Sequence, residues 1–149
     1  MSAKNLKPEC FVEEISGLEA MLNQYWLILQ LNPAMTPERY KELLLTMLQN
    51  GYRMAGVFTK DRQCVGLSGF WVSAKLYSGK YLEVDNFVID AAYRSQQLGK
   101  LLSDWMHQEA YASGCDTIML DAYTSNQAAH KFYFREGFHI KSYHFYKAL

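Results

Sequence analysis

Residues 89–100 read Ile89-Asp-Ala-Ala-Tyr-Arg-Ser-Gln-Gln-Leu-Gly-Lys100, and within this stretch the apolar period of the chain changes. Up to Ile89 the pattern is that of a strand. From Leu98 onward, Leu98, Leu101, Leu102 and Trp105 recur at i, i+3, i+4 and i+7, the spacing of one helix face. A strand therefore passes through a short basic, polar turn into a helix with Gly99 in its first turn. The leading N–H groups of a helix have no intrahelical partner and carry partial positive charge, so the turn is a natural anion site. Arg94 and Lys100 add full charges, and Gly99 leaves the backbone open to close approach. A diphosphate suits this turn; an ordinary turn with a solvated Arg and Lys suits the same residues.

The flanking sequence supplies the sheet and the other helices. Residues 52–59, 64–73 and 81–89 read as strands, separated by Lys60-Asp-Arg-Gln63 and Ser78-Gly79; turns this short imply antiparallel pairing. Before them come a strand at 11–15 and an apolar-rich helix at 18–31 that Asn32-Pro33 breaks. A second helix opens with Thr36 as N-cap and Pro37 at its first position. It carries Tyr40, Leu43, Leu44, Met47 and Leu48 on one face and stops at Gly51. The helix from Leu98 ends by Gly114. A strand at 117–120, a helix at 126–135 and an aromatic-rich strand at 138–146 complete the chain.

The predicted order is β-α-α-β-β-β-α-β-α-β in a single domain, residues 1–149. This is an α/β (α+β) class with a central mixed, mostly antiparallel sheet and helices on both faces. The long helical crossover from strand 81–89 to strand 117–120 allows that pair to be parallel.

Composition narrows the function classes. Fifteen Lys and Arg balance fifteen Asp and Glu, so bulk charge predicts no pull toward nucleic acid or membrane. No apolar stretch approaches the length of a membrane span, and Met1-Ser-Ala-Lys-Asn5 lacks a signal-peptide core, so a cytoplasmic protein is expected. Cys10, Cys64 and Cys115 form neither a disulfide framework nor a zinc signature, and no metal is predicted; His107, His130, His139 and His144 show no ligand spacing.

A second motif sharpens the reading of the first. Asn126-Gln-Ala-Ala-His-Lys-Phe-Tyr-Phe-Arg-Glu-Gly-Phe138 follows a strand, begins on a good N-cap, sets Ala129, Phe132 and Tyr133 on one face and ends in Gly137-Phe138. Together the two segments resemble the GNAT superfamily of acetyltransferases. Arg94-Ser-Gln-Gln97-Leu-Gly99 is similar to that family's Arg/Gln-x-x-Gly-x-Gly/Ala motif, with Gln97 in place of its first glycine. Asn126, Ala129, Tyr133, Gly137 and Phe138 meet every named position of its Asn-x-x-Ala-x-x-x-Tyr-x-x-x-Gly-Phe motif.

The resemblance implies an N-acetyltransferase that uses acetyl-CoA as co-substrate and needs no metal. On that reading the backbone of Phe87, Val88 and Ile89 pairs with the pantetheine arm. Arg94, Ser95, Gln96, Gln97, Leu98, Gly99 and Lys100 hold the diphosphate. Asn126 bonds the pantetheine arm, caps its helix, or does both. Tyr133 stands where the family commonly places a general acid beside the coenzyme sulfur, although a helical Tyr on an apolar face also suits plain packing.

The acceptor poses the other proton problem. An alkyl amine of pKa near 10.4 lies about 3.4 units above pH 7, so removing its proton costs roughly 4.6 kcal/mol. A carboxylate base is therefore expected. Glu83 and Asp85 share parity with Phe87 and Ile89 and fall on one face of a regular strand. Either could be the base, with Glu83 slightly preferred and Asp85 binding or helping to deprotonate a cationic amine; one or both also suit plain solvated strand positions. A small cationic amine, an amino sugar or a lysine side chain of a protein or peptide are the expected acceptors. Their pocket should come largely from residues 18–50; Tyr25, Trp26 and Tyr40 could line it, although core or surface packing suits each of them better. A non-catalytic acyl-CoA-binding or regulatory module is the alternative function, and the final strand could serve a homodimer contact.

Overall fold

Apolar alternation along the chain builds a sheet whose strands lie in sequence order. In the computed structural model, which describes residues 9–149, these are β1 (Cys10–Ile15), β2 (Arg53–Thr59), β3 (Cys64–Lys75), β4 (Gly79–Ile89) and β5 (Thr117–Leu120). The first three pairings are antiparallel and β4 runs parallel to β5, as the crossover predicts. Residues 1–5, whose composition bears on targeting, lie outside the described residues.

Helices cover both faces. On one side α1 (Leu18–Leu22), α2 (Tyr25–Leu31) and α3 (Pro37–Gln49) bury Met21, Leu27, Ile28, Tyr40 and Leu44 against Met54, Leu67 and Val88 of the sheet. Thr36 caps α3, its hydroxyl accepting from the Arg39 amide at 3.2 Å. On the other side α4 (Leu98–Ala112) buries Leu98, Leu102, Met106 and Ala110, a strict four-residue repeat, against Val57, Phe70, Leu82 and Val84. Truncating a wholly buried member such as Leu102 to Ala would cost about 3 kcal/mol. The remaining helix, α5 (Gln127–Arg135), follows β5 and buries no residue fully.

Two expectations change. Residues 18–31 form two helices rather than one, because a tight turn at Asn23–Gln24, with the Gln24 amide bonding back to Met21, redirects the chain. The expected strand at 138–146 is absent, so the observed order is β-α-α-α-β-β-β-α-β-α with a 3₁₀ turn, Ala91–Tyr93, before α4. The physical reason lies in its alternation. One parity reads Phe138, Ile140, Ser142, His144, Tyr146 and the other His139, Lys141, Tyr143, Phe145, so neither face is consistently apolar and no register is selected. The segment runs exposed, tied near the end of β5 where His144 Nδ1 lies 3.0 Å from Asp121 Oδ2.

A bulge interrupts β4 close to its C-terminal end. Antiparallel pairing with β3 keeps one register from Lys75↔Gly79 through Gly69↔Asp85, then shifts so that Leu67 faces Val88. Asn86 supplies the extra residue in the left-handed region, at φ 58°.

Candidate active site

Local chain chemistry puts the polar turn where the first motif requires it. Past Ile89 the chain forms the 3₁₀ turn, capped by the Asp90 carboxylate on the Ala92 amide, and then bends through Ser95 and Gln97, both left-handed at φ 65° and 62°. Gln97 is the N-cap of α4, and the Leu101 amide is the first to bond back to it. The amides of Leu98, Gly99 and Lys100 thus begin the helix without an intrahelical acceptor. Successive left-handed and helical residues turn such amides toward one point, a geometry that receives anions. The motif glycine is replaced by a glutamine that nonetheless adopts the glycine-like conformation.

The individual side chains refine this picture. Leu98 is buried under α4, so only its backbone faces the turn. Gly99 eases packing as well as approach, since a Cβ there would lie a tight 3.3 Å from the Phe132 ring of α5. Arg94 is exposed, with Nε 3.4 Å from the Ile89 carbonyl oxygen. Lys100 turns instead to Asp104, at 3.0 Å, and Glu136, at 3.8 Å. Gln96 leaves its side-chain oxygen buried without a partner, an acceptor suited to a ligand hydroxyl or amide N–H.

Beside the turn, β4 offers an unpaired edge. Its parallel pairing with β5 covers only Tyr81 to Val84, so among the described residues Phe87, Val88 and Ile89 have β3 on one side and no strand on the other. An extended chain with amide groups can add there as a strand would. Left-handed amides at one end and a free strand edge leading from it fit a diphosphate continued by a pantetheine arm, so the residues present suit coenzyme A.

The bulge separates the groups that regular alternation puts together. Glu83 pairs across from Trp71 and Asp85 from Gly69, on the face of α1–α3, whereas Phe87 and Ile89 pack on the α4 side and Val88 takes their place. The expected single face for Glu83, Asp85, Phe87 and Ile89 is therefore corrected by one inserted residue. Glu83 lines a cavity of ≈ 300 Å³ with Asn50, Trp71, Val72, Ser73 and Tyr81. Burial, helped by the nearby carboxylates of Asp121 and Asp85, raises its pKa against the lowering influence of Lys75 and His144. Asp85 is engaged differently, accepting a hydrogen bond from Trp71 Nε1 at 3.2 Å.

On the far side of the bulge, the Phe87 ring lies 5.6 Å from Phe132 and 6.3 Å from Tyr133. Tyr133 also meets Phe132 and Phe138 edge-on, at 5.3 and 5.7 Å. This apolar cage pushes the Tyr133 phenol up to about 12 by desolvation. Asn126 caps α5, its Oδ1 accepting from the Ala129 amide at 3.1 Å. Burial likewise raises the Cys64 thiol to about 11, which keeps it protonated and a poor nucleophile.

Tyr25 and Tyr40 are used in packing, the use the sequence favoured for them over a place in the acceptor pocket. Their rings stack at 5.8 Å and the Tyr40 hydroxyl donates to the Met21 carbonyl. Asn50, from the expected 18–50 segment, lines the cavity together with Trp71 and Tyr81 of β3 and β4. Counting back from the Ser78-Gly79 turn pairs Trp71 with Glu83, a signal present in the sequence for the strand residues.

Comparison with known proteins identifies the family and the fold. A curated relative, the aminoalkylphosphonate N-acetyltransferase of Salmonella typhimurium, is 28% identical over 99 residues, spanning 66% of this chain and 62% of that protein's length. Glucosamine-6-phosphate N-acetyltransferase from Arabidopsis thaliana superimposes with a TM-score of 0.70 at 18% identity, covering 93% of this chain and 97% of that one. Aminoglycoside N-acetyltransferase AAC(6')-Iy in complex with CoA superimposes at 0.80 with 14% identity, covering 95% of each. The sequence profile of the acetyltransferase (GNAT) family matches residues 18–138, which contain the turn, the bulge, Glu83 and Tyr133 alike, and the chain belongs to that family.

Proposed function

We propose that this protein is an N-acetyltransferase that moves the acetyl group of acetyl-CoA to a primary amine by direct attack. The observation that carries the reading is the arrangement around the β4 bulge. A half-buried carboxylate of raised pKa, Glu83, faces a cavity on one side of the strand, and a protonated phenol, Tyr133, stands on the other, with the open strand edge at Phe87–Ile89 beside them.

When bound, acetyl-CoA supplies an activated acetyl thioester. The amides of residues 98–100, with Arg94 adding charge, hold its diphosphate, and the backbone of Phe87, Val88 and Ile89 holds its pantetheine arm. Glu83 takes the proton of the incoming ammonium; its raised pKa brings it closer to that of the amine than an exposed carboxylate would be. Asp85, held by Trp71, contributes charge that favours a cationic acceptor. Tyr133 keeps its proton on the phenol oxygen up to about pH 12, available to a departing thiolate.

The acceptor class is a small amine. The relatives named above act on an aminoalkylphosphonate, an amino sugar phosphate and aminoglycosides, and the modest cavity suits the smaller of these. Among the described residues no helix is long and apolar enough to cross a membrane. The exposed aromatic tail and the free outer edge of β5 support self-association as the quaternary arrangement.

The test is thiol release from acetyl-CoA against aminoalkylphosphonates, amino sugars, aminoglycosides, polyamines and lysine peptides. Turnover with at least one amine is expected. Coenzyme binding without turnover on the whole panel would make the protein an acyl-CoA-binding module. No thermal shift with millimolar CoA would remove the coenzyme altogether.

A further inference from the structure

Between Asp85 and Phe87 the strand changes face at a residue held from below by a buried phenol. Tyr52, the residue before β2, is 3% exposed, and its ring packs against Trp71 at 5.1 Å. Its hydroxyl receives a hydrogen bond from Asn86 Nδ2 at 3.2 Å. The space for it is left by Gly69, where a Cβ would stand 1.8 Å from the Tyr52 oxygen. Beside it the buried Ser68 hydroxyl donates to the Gly69 carbonyl at 2.9 Å and lies 3.4 Å from the Asp85 carbonyl oxygen, next to the bulge. Missing side chain, phenol and amide are thus fitted to one another around a single left-handed residue.

The consequence is geometric. Asn86 at φ 58° sends Asp85 to the Trp71 side and Phe87 to the Tyr133 side. Were Asn86 to continue a regular strand instead of bulging, Phe87 would share a face with Asp85 and its ring would leave Tyr133. Asparagine is among the few non-glycine residues that tolerate this conformation, yet tolerance alone does not choose it. The Tyr52 hydroxyl rewards the conformer that points the Asn86 amide into the core.

We propose that Tyr52 is a positioning residue for acetyl transfer: through Asn86 it holds the bulge that aims the acceptor-side carboxylates and braces Tyr133 through Phe87. The proposal rests on the transferase reading above. Tyr52 touches neither substrate; it acts through the backbone of β4.

The experiment compares wild type, Tyr52→Phe, Asn86→Gly and the double variant. Steady-state thiol release is measured with the best amine of the panel, together with calorimetric CoA affinity and thermal midpoint. Asn86→Gly keeps the left-handed backbone accessible but removes the amide, so it does not depend on Tyr52→Phe folding well. Each single variant should lose about tenfold in kcat with CoA affinity changed less than about twofold, because sub-ångström misplacement affects the reacting geometry before binding. The double variant should be no worse than either single one, since both remove the same bond. Tyr52→Phe within twofold of wild-type kcat, a lower midpoint with kcat intact, or losses that multiply in the double variant would each overturn the proposal while leaving the transferase reading standing. A wild type that releases no thiol with any amine would sink that reading and this inference with it.

Discussion

The indole nitrogen of Trp71 donates to Oδ2 of Asp85 across 3.2 Å, and this bond divides the work of two neighbouring carboxylates. Asp85 has one oxygen occupied by a fixed donor. Glu83, one pleat earlier on the same face, looks into the cavity with its pKa raised, chiefly by burial. A base needs a free lone pair aimed at the substrate, so in the proposed reaction Glu83 is the base and Asp85 the charge that holds the ammonium.

Glu83→Gln should therefore lower kcat/KM by on the order of 10²-fold near pH 7 and regain rate as rising pH deprotonates the free amine. Asp85→Asn should act mainly on KM for the acceptor. The wild-type rate should climb with pH through a carboxylate ionisation above the ordinary Glu range, because only the ionised form accepts a proton and its pKa is shifted upward. pH–rate profiles of the three proteins decide this. A Glu83→Gln profile that parallels wild type over the acid limb would exclude Glu83 as base.

Tyr133 lends itself to a cleaner separation of chemistry from binding. Its ring is caged by Phe87, Phe132 and Phe138, which Phe at the same position would preserve, while the proton donor would be gone. Tyr133→Phe should cut kcat by on the order of 10²-fold with little change in CoA affinity or thermal midpoint. Since desolvation raises the phenol to about 12, the wild type should show no loss of the acid form below about pH 11. An alkaline limb that falls near pH 9 and vanishes in the variant would contradict the pKa and the cage that causes it.

Arg53 ties three elements and yields an acid-stability prediction. Its guanidinium bonds both oxygens of Glu14 on β1 at 2.8 Å and Glu109 on α4 at 2.7 Å, and lies 4.8 Å from the centre of the Phe70 ring. The Arg53 hydrogen bond lowers the Glu14 pKa, with burial opposing it. A carboxylate with a depressed folded pKa stabilises above its unfolded value and loses that contribution as pH falls through the folded one. Arg53→Met should therefore reduce stability by about 1 kcal/mol at pH 7, given the partial exposure of the pair. The difference from wild type should shrink below about pH 4 as Glu14 protonates. Urea melts at pH 7 and pH 3 measure both. Arg53→Lys should not restore the loss, since Lys lacks the two-pronged fork.

How much of this was legible in the sequence depended on whether the signal was local. The α3 cap at Thr36, the change of period at Leu98 and the termination at Gly137 all depend on neighbours within a turn or two, and each stands where the residues indicate. The basic, polar turn before α4 was visible for the same reason, though not that Ser95 and Gln97 would be left-handed. The bulge was not, because nothing near Asn86 announces a left-handed residue; its cause is Tyr52, far back in the chain, and the space left by Gly69. Asn50, at the end of the segment expected to build the pocket, lines the cavity, whereas the wall residues of β3 and β4 follow from strand pairing rather than from local sequence. In the tail, aromatic content suggested a strand, whereas alternation, the property that selects a face, was missing.

The departure at Gln97 can be weighed by two substitutions that both remove its side chain. In the left-handed region at φ 62° an ordinary L residue carries a steric cost of about 1–2 kcal/mol that glycine avoids. Glycine gives part of this back, about 0.4–1 kcal/mol, through its greater freedom when unfolded. Gln97→Gly should consequently be more stable than Gln97→Ala by about 1 kcal/mol, read as the difference between their urea midpoints at equal slope. The same pair reports on the turn: if the α4 amides hold the diphosphate, Gln97→Gly, which keeps their orientation without strain, should bind CoA at least as tightly as wild type, and Gln97→Ala more weakly. Equal stability of the two variants would mean that the turn relaxes out of the left-handed region in solution, and the anion site built on it would have to be redrawn.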